Sequence, residues 1–298
     1  LCRGNDRRGL QGQESERDRL LRLRHQFLGL ASRRCAPMII ATWNVNSVKA
    51  RLDTVCKFLK EAAPDVACFQ EIKCSDDSFP AEAFESLGYN ALVHGQKSYN
   101  GVAILSKRPA EHVANGLPEK EGDDHARYIE AIIPGQNGGA VRVASIYAPN
   151  GNPIGTDKFA YKLDWMERLY RHAGRLLTLE EPLVLAGDYN VIPGPDDCYD
   201  AKAWEQDALY QPATRALFRK ICHLGLTDAV RACHPEPHAY TFWDYQAGAW
   251  VKDHGIRIDH ILLSSQAADR LIRSSIERRV RGWEKPSDHV PVLCELAI

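Results

Sequence analysis

The sequence predicts an α/β fold: one body of two sheet-containing halves, with helices covering the sheets. Three observations predict it. Short apolar runs bounded by turn residues recur along the chain, helix-period segments stand between them, and no linker or short repeat divides the two rounds. At 298 residues the chain is long enough to bury one large core or two small ones.

Taken in order, MIIATW reads as the first strand from Met38. VKARLDTVCKFLKEA follows, with Val48, Leu52, Val55 and Leu59 at helical spacing. DVACFQ is a buried strand and GVAILS another. ARYIEAII and VRVASIYAP flank PGQNGG, a strong hairpin signal. A long helix runs from about Asp157 to Leu177, and PLVLAG then opens a second round. That round continues through an irregular loop, a helix over 212–224, and the strands YTFW, IRIDHILLS and VPVLCELAI.

Residues 1–37 differ in composition from this body. They hold nine Arg, no Lys and four Asp or Glu, whereas the remainder carries 29 basic and 35 acidic residues. Leu20–Leu30 has an amphipathic helical pattern, and the rest of the segment has a disordered composition. The first Met is Met38, directly before the first strand, so 1–37 reads as an appendage, upstream sequence translated with the domain at 38–298. A transit peptide is the alternative; the Arg excess fits it and the four acids do not. A chain beginning at Met38 is expected to keep full activity.

The bulk numbers exclude several classes. With 44% hydrophobic and 26% charged residues, the composition is that of a soluble globular protein. No apolar run approaches the roughly 20 residues that span a bilayer. Nine scattered Cys with no C-x-x-C pair point to reduced thiols in a cytoplasmic setting, not to a disulfide scaffold or a zinc site. The net charge of −1 requires any nucleic-acid partner to meet a local basic face.

Polar residues recur where apolar strands end. ATWNVN places Asn44 and Asn46 there, ACFQEIKC Glu71, ASIYAPNGN Tyr147 and Asn150, and VLAGDYN Asp188 and Asn190. IRIDHILL embeds Asp259 in an apolar strand, and PSDHVPV puts Asp288 and His289 before one. Strand ends gathered at one edge of packed sheets are where α/β folds build sites. Singly, each has an ordinary reading: G-D-x-N is a good turn, Asn44 caps a helix, and a lone Glu sits in a solvated loop. Asp259 is harder to dismiss, because a carboxylate within an apolar strand needs a partner, and His289 offers one. The donors are carboxylate and amide oxygens, which suit Mg²⁺ or Mn²⁺ over Zn²⁺. With a His–Asp pair, amides and a Tyr, they fit hydrolysis of a phosphodiester. There is no P-loop, G-x-S-x-G elbow or H-E-x-x-H.

W-N-V-N, Q-E-x-K, Y-x-P-N, G-D-x-N, R-I-D and S-D-H stand in this order from Met38 to Ile298. Together with WNVNSVKAR, FQEIKC, YAPNGNP and TFWDY…GIRIDHILLS, they resemble the exonuclease III-type apurinic/apyrimidinic endonucleases of the endonuclease/exonuclease/phosphatase superfamily. The resemblance implies a four-layer α/β sandwich, two mixed β-sheets face to face with helices outside. It implies Mg²⁺-dependent incision of double-stranded DNA 5′ to an abasic site, with 3′-to-5′ exonuclease or 3′-end-cleaning activity; oligomeric state stays open in the sequence, with a monomer as the default expectation. Glu71 matches the principal metal ligand, with Asn46 beside it and Asp288 near the metal. Asp188 matches the carboxylate that activates water or protonates the leaving oxygen, and Asn44 and Asn190 match the amides that orient it. Tyr147 and Asn150 match phosphate-side contacts, and His289 with Asp259 matches the pair that binds the scissile phosphate. Either Asp188 or His289 can be the general base at this stage. Phe242 matches an aromatic that lines the abasic-sugar pocket or wedges into the duplex, while Ile256 stands where some relatives have Trp and Ser47 where Gly is frequent. Arg51, Lys97 and Tyr99, in loops beside the motif strands, are expected to contact the DNA backbone. The rivals are another phosphoesterase of the superfamily, such as a phosphoinositide phosphatase, and a non-catalytic nucleic-acid-binding domain.

Overall fold

The computed structural model describes residues 37–298, apart from 120–121 and 136–137. The Arg-rich stretch expected over 1–37 lies outside the described residues except for Pro37. The rest forms two six-stranded sheets. The first contains β1 (Met38–Asn44), β2 (Val66–Gln70), β3 (Asn90–His94), β4 (Val102–Ser106), β11 (Leu271–Ile276) and β12 (Val292–Leu296), in the order β11-β12-β1-β2-β4-β3. The second contains β5 (Glu111–Asn115), β6 (Tyr128–Pro134), β7 (Ala140–Tyr147), β8 (Leu183–Asp188), β9 (Thr227–Asp228) and β10 (Asp259–Leu263), in the order β5-β6-β7-β8-β10-β9. Each sheet has one parallel pair at its centre, β1/β2 and β7/β8, flanked on both sides by antiparallel neighbours. A helix links each parallel pair, as such pairs require: α1 (Leu52–Ala62) joins β1 to β2, and α2 (Asp157–Leu177) joins β7 to β8.

Packing makes four layers. Between the sheets lie Ile40, Cys68, Ile104 and Val292 from one side and Ile129, Val143, Val184 and Ile261 from the other. The outer face of the first sheet, with Trp43, Phe69 and Leu105, packs on Val55, Phe58 and Leu59 of α1. The outer face of the second, with Tyr128, Ile146 and Leu185, packs on Trp165, Met166 and Leu169 of α2 and on Phe218 and Ile221 of α3 (Pro212–Cys222). Truncating one of the Ile, Leu, Met, Phe or Trp side chains among these to Ala costs about 2–5 kcal/mol.

The period of two along a strand connects this core to the site. In β1 the inward row is Met38, Ile40, Thr42 and Asn44; in β8 it is Val184, Ala186 and Asp188. In β7 the row ends on Ser145 and Tyr147, and β10 begins its row with Asp259. Each row is apolar in the middle and polar at one end. A buried layer of hydrogen bonds marks the change: Gln70 Nε2 donates to Thr42 Oγ1 and to Ser145 Oγ, both at 3.0 Å, and Ser145 Oγ donates to Phe69 O.

Several sequence expectations shift. Val48 is buried but precedes α1, because Asn46 and Ser47 take positive φ (43° and 84°) and the Val48 N–H bonds Ile72 O. YTFW is not a strand: Phe242 makes isolated bridges to Ile256 and His289 only. Thr241 Oγ1 instead accepts from the N–H groups of Ile258 and Asp259, so β10 begins at Asp259 and does not embed it. The helix expected over 212–224 ends at Cys222, and the last strand spans Val292–Leu296. No helix among the described residues is long and apolar enough to cross a membrane.

Candidate active site

The C-terminal ends of the two parallel pairs meet at one edge of the sandwich. From β1, Asn44 donates through Nδ2 to Glu71 Oε1 and to Asp188 Oδ2, both at 2.9 Å. One buried amide therefore ties the first sheet's carboxylate to the second's. The chain turns sharply at both ends: Asn46, Glu71 and Asn190 have φ of 43°, 50° and 50°. Left-handed backbone at non-glycine positions stores strain and clusters at functional sites. Gly187, before Asp188, has no room for a side chain, since a Cβ there would lie 1.9 Å from Ile146 O.

A cleft of about 320 Å³ opens on these ends, lined by Glu71, Tyr147, Asn150, Asp188, Asn190, Phe242, Asp288 and His289 among others. Asn190 N–H donates to Asp188 Oδ1 at 2.9 Å, and Asn150 Nδ2 donates to Asn190 Oδ1 at 3.2 Å. His289 Nδ1 lies 2.9 Å from Asp259 Oδ2, and its Nε2 lies 3.8 Å from Asp188 Oδ2. Thr241 Oγ1 donates to Asp259 Oδ2 at 2.6 Å. The R-I-D arginine, Arg257, is buried on Asp197 and Asp228 and pins the segment that presents Asp259. Ser287 of S-D-H donates to Asn44 O at 2.7 Å and joins the last loop to β1.

The charges follow from this packing. Burial pushes Asp188 up to about 7, with Asp259 adding and His289 opposing. Burial pulls His289 down, but Asp259 and Asp188 outweigh it and hold the imidazolium proton up to about 10. Burial also raises Glu71, yet the Lys73 ammonium and the Asn44 amide overcome it, and the carboxyl lies below its ordinary value. Burial, with Glu71 and Asp188 adding, keeps the Tyr147 phenol neutral far into the alkaline range.

The donor set fits a hard cation. Lys73 Nζ sits 2.8 Å from Glu71 Oε2 and 2.6 Å from Asn46 Oδ1, so a positive charge already bridges the two oxygens a metal would take. Asn46 Nδ2 donates to Asp288 Oδ1 at 3.1 Å, which brings a second carboxylate to the same corner. Asp188, Asp259 and His289 also offer atoms within 4.8 Å of one another. There, however, Nδ1 is held by Asp259, and a protonated imidazole is no metal ligand.

The remaining expected residues divide. Arg51 bonds Asn46 O, Pro286 O at 3.1 Å and Tyr245 Oη at 2.8 Å, bracing the Asn46 loop. Tyr99, 71% exposed, lines a second hollow that shares Asn150 with the cleft, whereas Lys97 is exposed on the same loop and lines neither. Ile256 is buried away from the cleft. Sequence reasoning passed over Lys73, although Q-E-x-K contained it. It also missed Lys162, wholly buried on α2, which donates to Asn150 O at 3.0 Å and Asn190 O at 2.5 Å. Its signal was a lysine at helical spacing within the stripe of Trp165, Met166 and Leu169. Trp204 and Leu209 carried no motif, and Thr241 stood in the TFWDY block without an assigned role.

The endonuclease/exonuclease/phosphatase family model matches residues 41–289. The chain belongs to that family. It is 31% identical over 266 residues to exodeoxyribonuclease III of Haemophilus influenzae, covering 87% of this chain and 99% of that protein. Among solved structures it is similar to an AP endonuclease from Archaeoglobus fulgidus, with a TM-score of 0.82 and 36% identity over 88% of this chain and 100% of that one. A 3′ phosphatase from Neisseria, bound to a product DNA hairpin, also superposes with a TM-score of 0.82, at 38% identity over 87% of this chain and 99% of that one. Membership makes the chain an enzyme of a metal-dependent nuclease family with a four-layer α/β sandwich, as the resemblance implied.

Proposed function

We propose that the chain is a Mg²⁺-dependent DNA repair nuclease that hydrolyses the phosphodiester 5′ to an abasic site and also processes 3′ ends. The observation that carries this reading is the Asn44 bridge. It holds two carboxyls at one cleft, Glu71 below its ordinary value and Asp188 raised above it by burial.

Their roles separate on electrostatics. His289 holds its proton and so serves as a donor to a phosphate oxygen, stabilising the charge that gathers there as water attacks. Asp188 is then the proton acceptor for that water, oriented by Asn44 and Asn190. Tyr147 and Asn150 complete the phosphate side. Glu71 and Asn46 would hold Mg²⁺, with Asp288 behind Asn46, and Mn²⁺ would substitute. Bound there, the ion neutralises phosphate charge and polarises the phosphoryl oxygen. Phe242, 4.9 Å from the His289 ring, faces the sugar.

The relatives support DNA as substrate, since one is an AP endonuclease and another is bound to a DNA hairpin. A reducing, cytoplasmic setting fits the seven described cysteines, all free thiols. The test is a duplex carrying one tetrahydrofuran abasic analogue, incubated with Mg²⁺ or with EDTA. Magnesium-dependent cleavage on the 5′ side, leaving a 3′-hydroxyl, is expected from the full chain and from a chain beginning at Met38. Binding without cleavage, or cleavage of lipid phosphates alone, would overturn the reading.

A further inference from the structure

The cleft lining includes two apolar side chains outside the motifs, Trp204 and Leu209. They line it together with Phe242 and Ile258. Phe242 is bridged to Ile256 and His289, and Leu209 is buried with its carbonyl bonded to Ile192 N–H. Trp204 is different. It ends the short 3₁₀ turn Ala201–Trp204, between β8 and α3, and is only half buried. Its indole Nε1 is shielded from solvent and has no acceptor. A shielded N–H without a partner is costly, and buried indoles ordinarily find one. The segment is nonetheless firmly placed. Asp207 N–H donates to Trp204 O at 2.9 Å, and the Asp207 carboxylate accepts from Asn152 Nδ2 at 3.0 and 3.1 Å. That bond ties the Trp204 segment to the loop carrying Asn150.

Resting on the nuclease reading above, we propose that Trp204 is the specificity-determining wall of the cleft. Its ring packs on the sugar attached to the scissile phosphate.

The chemistry of three substrates separates this role from a structural one. In each reaction a P–O3′ bond breaks and water oxygen bonds phosphorus, but the group on the far side of phosphorus differs. A 3′-phosphate carries no sugar there, an abasic site carries a bare sugar, and an ordinary 3′-terminal nucleotide carries a sugar with its base. The experiment measures kcat/KM with Mg²⁺ on all three, for wild type, Trp204→Phe and Trp204→Ala. The ratio of abasic incision to 3′-phosphate release is expected to fall at least about tenfold in Trp204→Ala, the order of one lost pocket contact. Trp204→Phe, which keeps a smaller ring, is expected to fall between. Release of intact nucleotides is expected to gain relative to abasic incision as the wall recedes. Equal losses on all three substrates, or unchanged ratios in both variants, would overturn the proposal. A wild-type protein without magnesium-dependent activity on any of them would overturn the nuclease reading beneath it as well.

Discussion

The ends of the two parallel strand pairs are built alike and behave differently. The first turns through left-handed backbone at Glu71 and the second at Asn190, and each sets a carboxylate near a lysine. At the β1/β2 end, Lys73 touches Glu71 directly at 2.8 Å, and both side chains are partly open to water. At the β7/β8 end, Asp188 is 1% exposed and Lys162 is wholly buried, donating to the Asn150 and Asn190 carbonyls beside it. Burial drives the Lys162 ammonium down to about 7, against the pull of Asp188 and Asp207. Depth makes the difference. The shallow end keeps a fixed negative charge suited to a cation, and the deep end keeps a carboxyl that exchanges a proton near neutrality.

If that division is right, substitutions at the two ends fail in different ways. Asp188→Asn keeps the hydrogen-bonding shape but removes the base, so kcat should fall about 10³–10⁴-fold with KM little changed. His289→Ala should cost about 10²–10³-fold in kcat through lost charge stabilisation. A steady-state comparison in which either variant turns over near the wild-type rate would break the assignment of the deep end. Glu71→Gln should instead raise the Mg²⁺ concentration for half-maximal activity at least about tenfold, with part of the rate restored by excess metal. A loss that no metal concentration repairs would erase the contrast between the ends.

Two smaller effects concern stability. The folded pKa of His289 is raised from the ordinary 6.5 to about 10, so its contribution is fully present below pH 6.5 and is lost as pH rises through 10. The gap in urea stability between wild type and Asp259→Asn should therefore be widest below pH 6.5 and narrow towards pH 10. A gap constant with pH would mean that the His289–Asp259 pair is not charged as described. At the shallow end, Ser47 holds φ of 84° where glycine has no Cβ to strain. Ser47→Gly should raise stability by about 1 kcal/mol, read as a shift in the urea midpoint at constant slope.

The site was largely legible in the sequence because it continues the inward rows of strands. A row that runs apolar and then ends on Asn44, Asp188 or Tyr147 marks its polar end by breaking its own pattern. The edges of the sheets were not legible. β5, EHVAN, is mostly exposed and has no apolar row, and the edge strands β3 and β11 are only partly buried. An edge strand needs little apolar surface and so leaves little pattern. Thr241 and Trp204 were hidden for another reason. A Thr within a presumed strand and a Trp in an irregular loop are ordinary residues until the fold brings them to Asp259 and the cleft.

The central claim is that both ends serve one divalent ion and one phosphate. The most direct measurement is a crystal structure of Asp188→Asn soaked with Mn²⁺ and a duplex bearing a 3′-phosphate, with anomalous scattering to locate the metal. The account predicts a peak about 2.1 Å from a Glu71 oxygen, where Lys73 Nζ now lies, with the phosphate between it and His289 Nε2. A metal bound elsewhere, or a phosphate out of reach of His289, would contradict it.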